Sequence, residues 1–213
     1  MRLFRTPIWL HRVFPNYSWK IATQERVIYL SFDDGPDPEV TPFVLKCLSD
    51  YNAKATFFCV GENLEKNIEL SENIVEEGHQ IGNHTYHHLK GWITPTHSYL
   101  DDVRLCQEKI GPISQSPLFR PPYGRIKKSQ GRELLELGYR CVMWDILTYD
   151  YDKRLDIDHA LRRITALSRR GSIVVFHDSQ KAKKQLQQLL PSYLEEMTTK
   201  GFRFDLIPVS HRQ

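Results

Sequence analysis

Short apolar runs alternate along the chain with longer stretches in which apolar residues recur every three or four positions. The short runs are rich in β-branched and aromatic residues, as in Val27-Ile28-Tyr29-Leu30-Ser31-Phe32, and this composition favours strands. The longer stretches are typical of helices, and glycines such as Gly78 and Gly138 mark several of their boundaries. The predicted strands span 27–32, 55–60, 80–82, 118–119, 139–144, 172–176 and 203–207. The predicted helices span 39–51, 61–77, 95–110, 127–137, 156–170 and 180–200.

This alternation of strands and helices favours an α/β fold in which parallel strands are covered by helices. About seven strand candidates fit a small barrel with an incomplete ring, and the alternation alone also allows an open sheet. A chain of 213 residues can bury one sizeable core, so a single domain is expected. We assign that domain to residues 26–213 and expect residues 1–25 to be an N-terminal segment packed on it.

The charge of the chain is only mildly positive, at +3, because 29 basic residues are offset by 26 acidic ones. This balance does not indicate binding to nucleic acid. No apolar stretch reaches the length of a signal peptide or a membrane span, so we expect no transmembrane segment and a cytoplasmic location. The aromatic and basic residues of segment 1–15 leave association with the cell envelope open. The four cysteines are far apart and lie mostly among apolar neighbours, which predicts buried reduced thiols.

The first candidate for chemistry is Asp33-Asp34-Gly35-Pro36, which follows the first predicted strand. Gly35 can adopt a positive φ and Pro36 fixes its own φ, so a turn at Gly35 could bring both carboxylates to one site. Taken alone, such a stretch is more often an ordinary strand-to-loop turn. Four further clusters of polar residues favour a functional interpretation.

The second cluster contains three imidazoles within residues 84–88, directly after another predicted strand. His84 and His88 are four residues apart and would project to one side of a helical turn, where they could share a cation. Asp34 or Asp33 could complete an open catalytic metal site that leaves a position for water. We expect one divalent ion there, zinc by its nitrogen and oxygen ligands, with cobalt, nickel and manganese as alternatives.

The third cluster begins with Arg120, whose guanidinium could pair with a buried carboxylate and hold it ionised and oriented. Pro121 and Pro122 follow it and remove two backbone donors. The amide of Tyr123 is then the first free donor and is suited to an oxyanion. On its own, this motif would be a rigid surface loop.

The fourth and fifth clusters are Trp144 to Tyr151 and the run that ends at His177, and each ends an apolar run with ionisable residues. If the sheet is parallel, His177 emerges at the edge that also carries Asp34. A histidine placed there near an aspartate is a candidate general acid. A single histidine capped by Asp178 would be structural, but five polar strand ends at one edge make that interpretation the weaker one.

Five motifs, in this order, resemble those of the family 4 carbohydrate esterases, which are polysaccharide deacetylases with the NodB-homology domain. The motifs are Ser-Phe-Asp-Asp-Gly-Pro, His-Thr-Tyr-His-His, Arg-Pro-Pro-Tyr, Trp144 through Tyr151, and Ile-Val-Val-Phe-His. The resemblance covers about residues 26–208. It implies a distorted, incomplete (β/α)7-type barrel with parallel strands, and metal-dependent removal of N-linked, sometimes O-linked, acetyl groups from a sugar.

The resemblance also implies roles for individual residues. Asp33 resembles the general base, and Arg120 would orient it. Asp34, His84 and His88 resemble the ligands of the metal ion.

The remaining implied roles concern the leaving group and the pocket. His177, paired with Asp150, would protonate the departing amine. The amide of Tyr123 would stabilise the tetrahedral oxyanion, and Trp144 and Val175 resemble the walls of the pocket for the acetyl methyl group.

One position departs from the family pattern, because Tyr151 stands where the family usually has tryptophan. A smaller aromatic ring with a hydroxyl could widen the pocket for the acyl group.

The expected function is N-deacetylation of a glycan that contains N-acetylglucosamine, either peptidoglycan or a chitin-like oligomer. Two alternatives stay open, namely a C–N hydrolase of the same fold that acts on a small non-peptide amide, and a catalytically silent carbohydrate-binding relative. A glycosidase is excluded, since two adjacent aspartates on one turn cannot flank a glycosidic bond at the required separation.

Overall fold

In the computed structural model, which describes residues 2–209, a curled sheet of parallel strands is surrounded by helices. The strands are β1 (Val27–Asp33), β2 (Ala55–Cys59), β3 (Gln80–Asn83), β4 (Leu118–Phe119), β5 (Arg140–Cys141), β6 (Ile146–Leu147), β7 (Ile173–His177) and β8 (Arg203–Phe204). The helices are α1 (Ile8–Val13), α2 (Thr41–Asp50), α3 (Gly61–Lys66), α4 (Ile68–Glu76), α5 (Thr96–Ile110), α6 (Lys128–Glu136), α7 (Ile157–Leu167) and α8 (Lys183–Thr199).

The main path of the sheet has the order β5-β4-β3-β2-β1-β7-β6, and β8 pairs with the first two residues of β1. Every pairing between these strands is parallel. The seven strands of the path curl into an incomplete ring whose two ends are β5 and β6. The predicted incomplete (β/α)7-type barrel is thereby confirmed.

Three elements differ from the sequence prediction. The predicted strand 139–144 shrinks to β5, and a second two-residue strand, β6, follows it. The predicted helix 61–77 is divided at Asn67, which leaves helical geometry at φ −135° and ψ 53°. The side-chain amide of Asn67 donates to the carbonyls of Pro36 and Asn63 at 3.3 and 3.0 Å, which favours the break over a continuous helix. Helix α1 lies in a segment for which no helix is predicted.

Both faces of the central strand β1 are buried, which explains its nearly continuous apolar sequence. Ile28 and Phe32 belong to the large core between the sheet and the helices. Tyr29 lies on the opposite face, in the apolar cluster inside the curl. Because side chains alternate along a strand, Ser31 and Asp33 share that inner face. The interior of the barrel therefore becomes polar towards the carboxyl end of β1.

The N-terminal segment lies across the two ends of the strand path. Ser18 forms a parallel bridge to Val142, beyond β5, and Arg5 forms an antiparallel bridge to Ile146 of β6. Lys20 forms a further antiparallel bridge to Ser172, before β7. Nearer the start of the chain, the guanidinium of Arg5 lies 3.1 Å from the buried carboxylate of Asp145. Backbone pairing and one partly buried ion pair thus attach this segment to the barrel.

All four cysteines are buried and carry free thiols, as the sequence predicts. Between residues 2 and 209, each helix is too short or too polar to cross a bilayer.

Two glycines with positive φ test how tightly the N-terminal segment is packed. A Cβ atom at Gly171 (φ 78°) would lie 1.8 Å from the carbonyl oxygen of Ile21, whereas one at Gly138 (φ 86°) would meet nothing within 4 Å. We expect Gly138→Ala to cost about 1 kcal/mol of unfolding free energy through the left-handed backbone alone. Gly171→Ala should cost clearly more, because the segment must also shift. Urea denaturation of both variants checks this, and equal losses would show that the segment is not held against Gly171.

Candidate active site

The polar residues at the strand ends converge in one cleft at the carboxyl edge of the sheet. Asp33, the last residue of β1, is in register with His177 of β7. Parallel strands present residues in register on the same face, so both side chains enter the concave interior. The cleft has a volume of about 260 Å³. It is lined by Asp33, Asp34, His84, His88, Tyr123, Arg125, Trp144, Leu147, Tyr151, Val175, His177 and Lys181.

The turn after β1 differs from the prediction in which residue takes the left-handed conformation. Asp34 has a φ of 82°, whereas the φ of Gly35 is not positive. The left-handed residue breaks the alternation of faces, so Asp34 and Asp33 can reach one cleft. The Gly35–Pro36 peptide bond is cis.

A glycine is required at position 35 because of Asp178. A Cβ atom on Gly35 would lie 2.0 Å from Oδ2 of that carboxyl group. Oδ1 of Asp178 accepts the Gly35 N–H at 3.1 Å, and Oδ2 accepts the Thr41 hydroxyl at 2.6 Å. Burial raises the pKa of Asp178 well above its usual value. Asp178 therefore supports the turn, and the alternative in which it caps His177 is wrong.

Arg120 and Asp33 form a buried ion pair beneath the cleft. Nη1 of Arg120 lies 2.6 Å from Oδ1 of Asp33 and donates to the Ser31 hydroxyl at 2.8 Å. Nε and Nη2 donate to the carbonyls of Val142 and Met143 at 3.1 and 3.0 Å. The Arg120 side chain is fully buried. These bonds fix the guanidinium and, through it, the orientation of the Asp33 carboxylate.

The structure brings Asp34, His84 and His88 together, with one ligand atom of each within 4.8 Å of the others. Oδ1 of Asp34 lies 3.1 Å from Nε2 of His88 and 3.8 Å from Nε2 of His84. Nδ1 of His84 lies 2.7 Å from the carbonyl oxygen of Arg120, which can only accept a proton, so Nε2 carries the lone pair. Burial lowers the pKa of His84 to about 4, which keeps this ring neutral. Two imidazole nitrogens and a carboxylate fit a zinc-like ion with a position open to water.

The imidazoles of His84 and His88 lie close together, but residues 84–88 do not form the helical turn that their spacing predicts. Thr85 (φ 64°) and His88 (φ 55°) both have left-handed backbones, so residues 84–88 form a loop. Its middle is held by Asp102, whose carboxylate accepts the backbone N–H groups of Tyr86 and His87 at 2.9 and 3.0 Å. The ring of His87 also contacts Asp102, at 2.5 Å, outside the metal cluster.

The sequence analysis does not identify Asp102 as a functional residue, although the apolar pattern of α5 indicates that its side chain is buried. It lies on the buried face of α5 together with Tyr99 and Cys106, at helical spacing. A carboxylate at an apolar position of an amphipathic helix indicates a buried partner.

His177 and Asp150 form a second buried pair on the other side of the cleft. Nδ1 of His177 lies 2.8 Å from Oδ1 of Asp150, and the His177 backbone N–H donates to Oδ2 at 2.7 Å. Burial by itself lowers the pKa of His177, but the charge of Asp150 and its hydrogen bond outweigh burial and raise that pKa to about 9. With Nδ1 engaged, Nε2 is the nitrogen available to the cleft.

The predicted pocket walls also line this cleft. Trp144 and Val175 provide apolar surface, and Leu147, which the sequence analysis does not single out, adds to it. The ring of Tyr151 meets that of His177 edge to face at a centroid distance of 4.9 Å. Burial raises the pKa of Tyr151 to about 12, so its hydroxyl stays protonated. Tyr123 has a φ of 60° within the 3-10 turn Pro122–Gly124.

This chain is similar to known proteins in both sequence and structure. A family model described as polysaccharide deacetylase matches residues 20–142. A peptidoglycan-N-acetylglucosamine deacetylase of Bacillus cereus is 32% identical over 192 residues, which cover 88% of this chain and 89% of that protein. A chitooligosaccharide deacetylase of Azorhizobium caulinodans is 32% identical over 162 residues, covering 75% of this chain and 77% of that protein. A crystal structure of a peptidoglycan N-acetylglucosamine deacetylase superposes with a TM-score of 0.87 at 31% identity and covers 95% of both chains.

The cluster of Asp34, His84 and His88 can be tested by metal binding. His88→Ala should weaken zinc binding by ~100-fold or more, since it removes a direct ligand and even an outer partner is worth 10- to 100-fold. His87→Ala is the matched control in the same loop, because its ring contacts Asp102 instead. Isothermal titration of the chelator-stripped protein with zinc measures both. Equal affinity in the two variants would contradict the cluster.

Proposed function

The chain belongs to the polysaccharide deacetylase family, and we propose that it is a metal-dependent hydrolase that removes N-acetyl groups from glycans containing N-acetylglucosamine. Family membership confirms the resemblance predicted from the five motifs. One observation carries the proposal: a carboxylate held by a buried arginine, a three-residue metal cluster and a histidine–aspartate pair share one cleft. The names of the relatives from Bacillus and Azorhizobium support peptidoglycan or a chitin-like oligomer as the substrate class.

Asp34, His84 and His88 are the proposed ligands of one divalent ion, with zinc as the first choice and cobalt, nickel and manganese as alternatives. When bound, such an ion supplies Lewis acidity to the acetyl carbonyl and lowers the pKa of a water molecule.

Asp33 is the proposed general base that takes a proton from the attacking water. The ion pair with Arg120 keeps its carboxylate ionised and fixed in direction, so that little reorganisation is needed during proton transfer. Arg120 is buried beneath Asp33, and its proposed role is to position the base.

His177 is the proposed general acid. Its Nε2 donates a proton to the amine nitrogen as the C–N bond breaks, and acetate and the free amine are the products. Asp150 keeps the ring protonated through its charge and its hydrogen bond to Nδ1. The backbone amide of Tyr123 is the proposed donor to the oxyanion of the tetrahedral intermediate.

The acetyl methyl group is proposed to lie against Trp144, Val175 and Leu147, which supply apolar surface in the cleft. Tyr151, in place of the usual tryptophan, forms the wall next to His177. We further propose that residues 26–213 are the catalytic domain and that residues 1–25 pack on it, which the bridges at Ser18 and Lys20 support.

Acetate release from N-acetylglucosamine oligomers of increasing length tests the activity. Asp33→Asn should lower kcat by about 100-fold or more because it removes the proton acceptor. It should leave zinc content unchanged, because Asp33 is outside the metal cluster. The control is Asp101→Asn, at an exposed position paired with Arg104. Full activity of Asp33→Asn would refute its role as the base, and absence of release with metal bound would favour a different amide substrate.

The pH profile tests the role of His177. A general acid must be protonated, so kcat should fall as the pH rises through the pKa of His177, which Asp150 raises to about 9. Asp150→Asn removes the negative charge that raises this pKa. The alkaline limb should therefore move to lower pH by about one unit or more. Asp152→Asn, whose carboxylate pairs with Arg2, is the control and should leave the limb in place. An unmoved limb in Asp150→Asn would exclude His177 as the titrating acid.

A further inference from the structure

Three exposed cations at the cleft are held against aromatic rings. Nζ of Lys90 lies 5.3 Å from the ring centre of Tyr123, and Nζ of Lys181 lies 5.0 Å from that of Tyr151. Cζ of Arg125 lies 5.1 Å from the ring centre of Trp92. Among the ion pairs formed by residues 2–209, none involves these three cations.

The cations stand on both sides of the proposed reaction centre. The ring of Tyr123 lies 4.7 Å from that of His88, and the ring of Tyr151 lies 4.9 Å from that of His177. A single aromatic ring therefore lies between Lys90 and His88, and another lies between Lys181 and His177. Arg125 and Lys181 line the cleft itself.

The segments that carry these cations provide little compensating charge. Residues 86–100 and 111–132, which carry Lys90 and Arg125, contain no aspartate or glutamate. Near Lys181, the carboxylate of Asp37 accepts from Gln180 at 3.0 Å, and that of Glu39 pairs with Lys183 at 2.6 Å.

The acids inside the cleft are engaged as well. Asp33 pairs with Arg120, and Asp34 lies against the two imidazoles of the metal cluster. The free charge that an approaching substrate meets at the rim is therefore positive.

We propose that this cleft selects glycans that carry a negatively charged substituent, a carboxylate or a phosphate, close to the reacting N-acetyl sugar. The attraction between a cation and an exposed ring is weak, so the charge of the cation remains available to a ligand. The ring also restricts the long side chain before binding, which reduces the entropy lost when an anion is bound. A neutral N-acetylglucosamine oligomer offers these groups hydrogen-bond acceptors but no opposite charge. The inference rests on the proposed deacetylase function and narrows its substrate class.

A matched set of substrates tests this selection. The set comprises a tetrasaccharide whose alternate sugars bear free carboxylates, the same tetrasaccharide with those groups converted to carboxamides, and one with phosphate monoesters at those positions. For the wild-type protein, kcat/KM for a charged form should exceed that for the carboxamide form by about tenfold at low salt. The ratio should fall towards one in about 0.5 M NaCl, where exposed charges are screened.

The variant that combines Lys90→Gln, Arg125→Gln and Lys181→Gln should lose this ratio. The control combines Lys46→Gln, Lys66→Gln and Lys200→Gln, which removes the same charge from helix-surface pairs outside the cleft. It should keep both the ratio and its salt dependence.

The outcomes separate this inference from the proposed function. A preference for the carboxylate form or the phosphate form that disappears in the cleft variant supports the inference and identifies the anion. Equal kcat/KM on charged and carboxamide forms, or the same ratio in both combined variants, overturns it while deacetylation itself stands. Absence of acetate release from every substrate refutes the proposed function.

Discussion

The buried ion pair between Arg120 and Asp33 is the interaction on which the rest of the site depends. Removing an arginine and a carboxylate from water costs several kcal/mol for each ion unless partners replace the lost hydration. Here the partners come from β1, from the carbonyls that follow β5, and from the ring of Phe58, 4.0 Å from the guanidinium. The backbone carbonyl of Arg120 also orients His84. One residue therefore ties the position of the proposed base to that of the proposed metal.

The sequence predicts the parts of the structure that depend on short-range periodicity. Alternating apolar runs and helical spacing suffice for the order of strands and helices, and parallel pairing then places Asp33 and His177 at one edge. The predicted fold and the family resemblance are both confirmed. What the periodicity cannot supply is the backbone geometry at the ends of the strands. Asp34 and His88 adopt left-handed conformations that local preference alone does not favour.

Those conformations depend on groups that are distant in sequence. Asp178 accepts the backbone N–H of Gly35, and Asp102 accepts two backbone N–H groups of the loop at 84–88. Each is a buried carboxyl group whose partners are known only once the chain has folded. A helical turn for His84 and His88 is therefore a reasonable prediction from spacing and a wrong one in the structure. The same limitation applies to the predicted strand 139–144, because its apolar pattern does not indicate that strand pairing stops after β5 and resumes in β6.

The in-register pairing of β1 with β7 has a consequence for how this fold diverges. The proposed base and acid occupy neighbouring strands, so their separation is set by the spacing of the sheet, about 4.8 Å between backbones. Loops carry the groups that would meet the rest of the glycan, including Tyr123 and Lys181. Mutations in the loops can therefore change which substrate binds. The pairing of the two strands meanwhile keeps the backbone positions of the proposed proton-transfer residues at a constant distance. The choice of substrate and the proposed proton transfer therefore depend on different parts of the same chain.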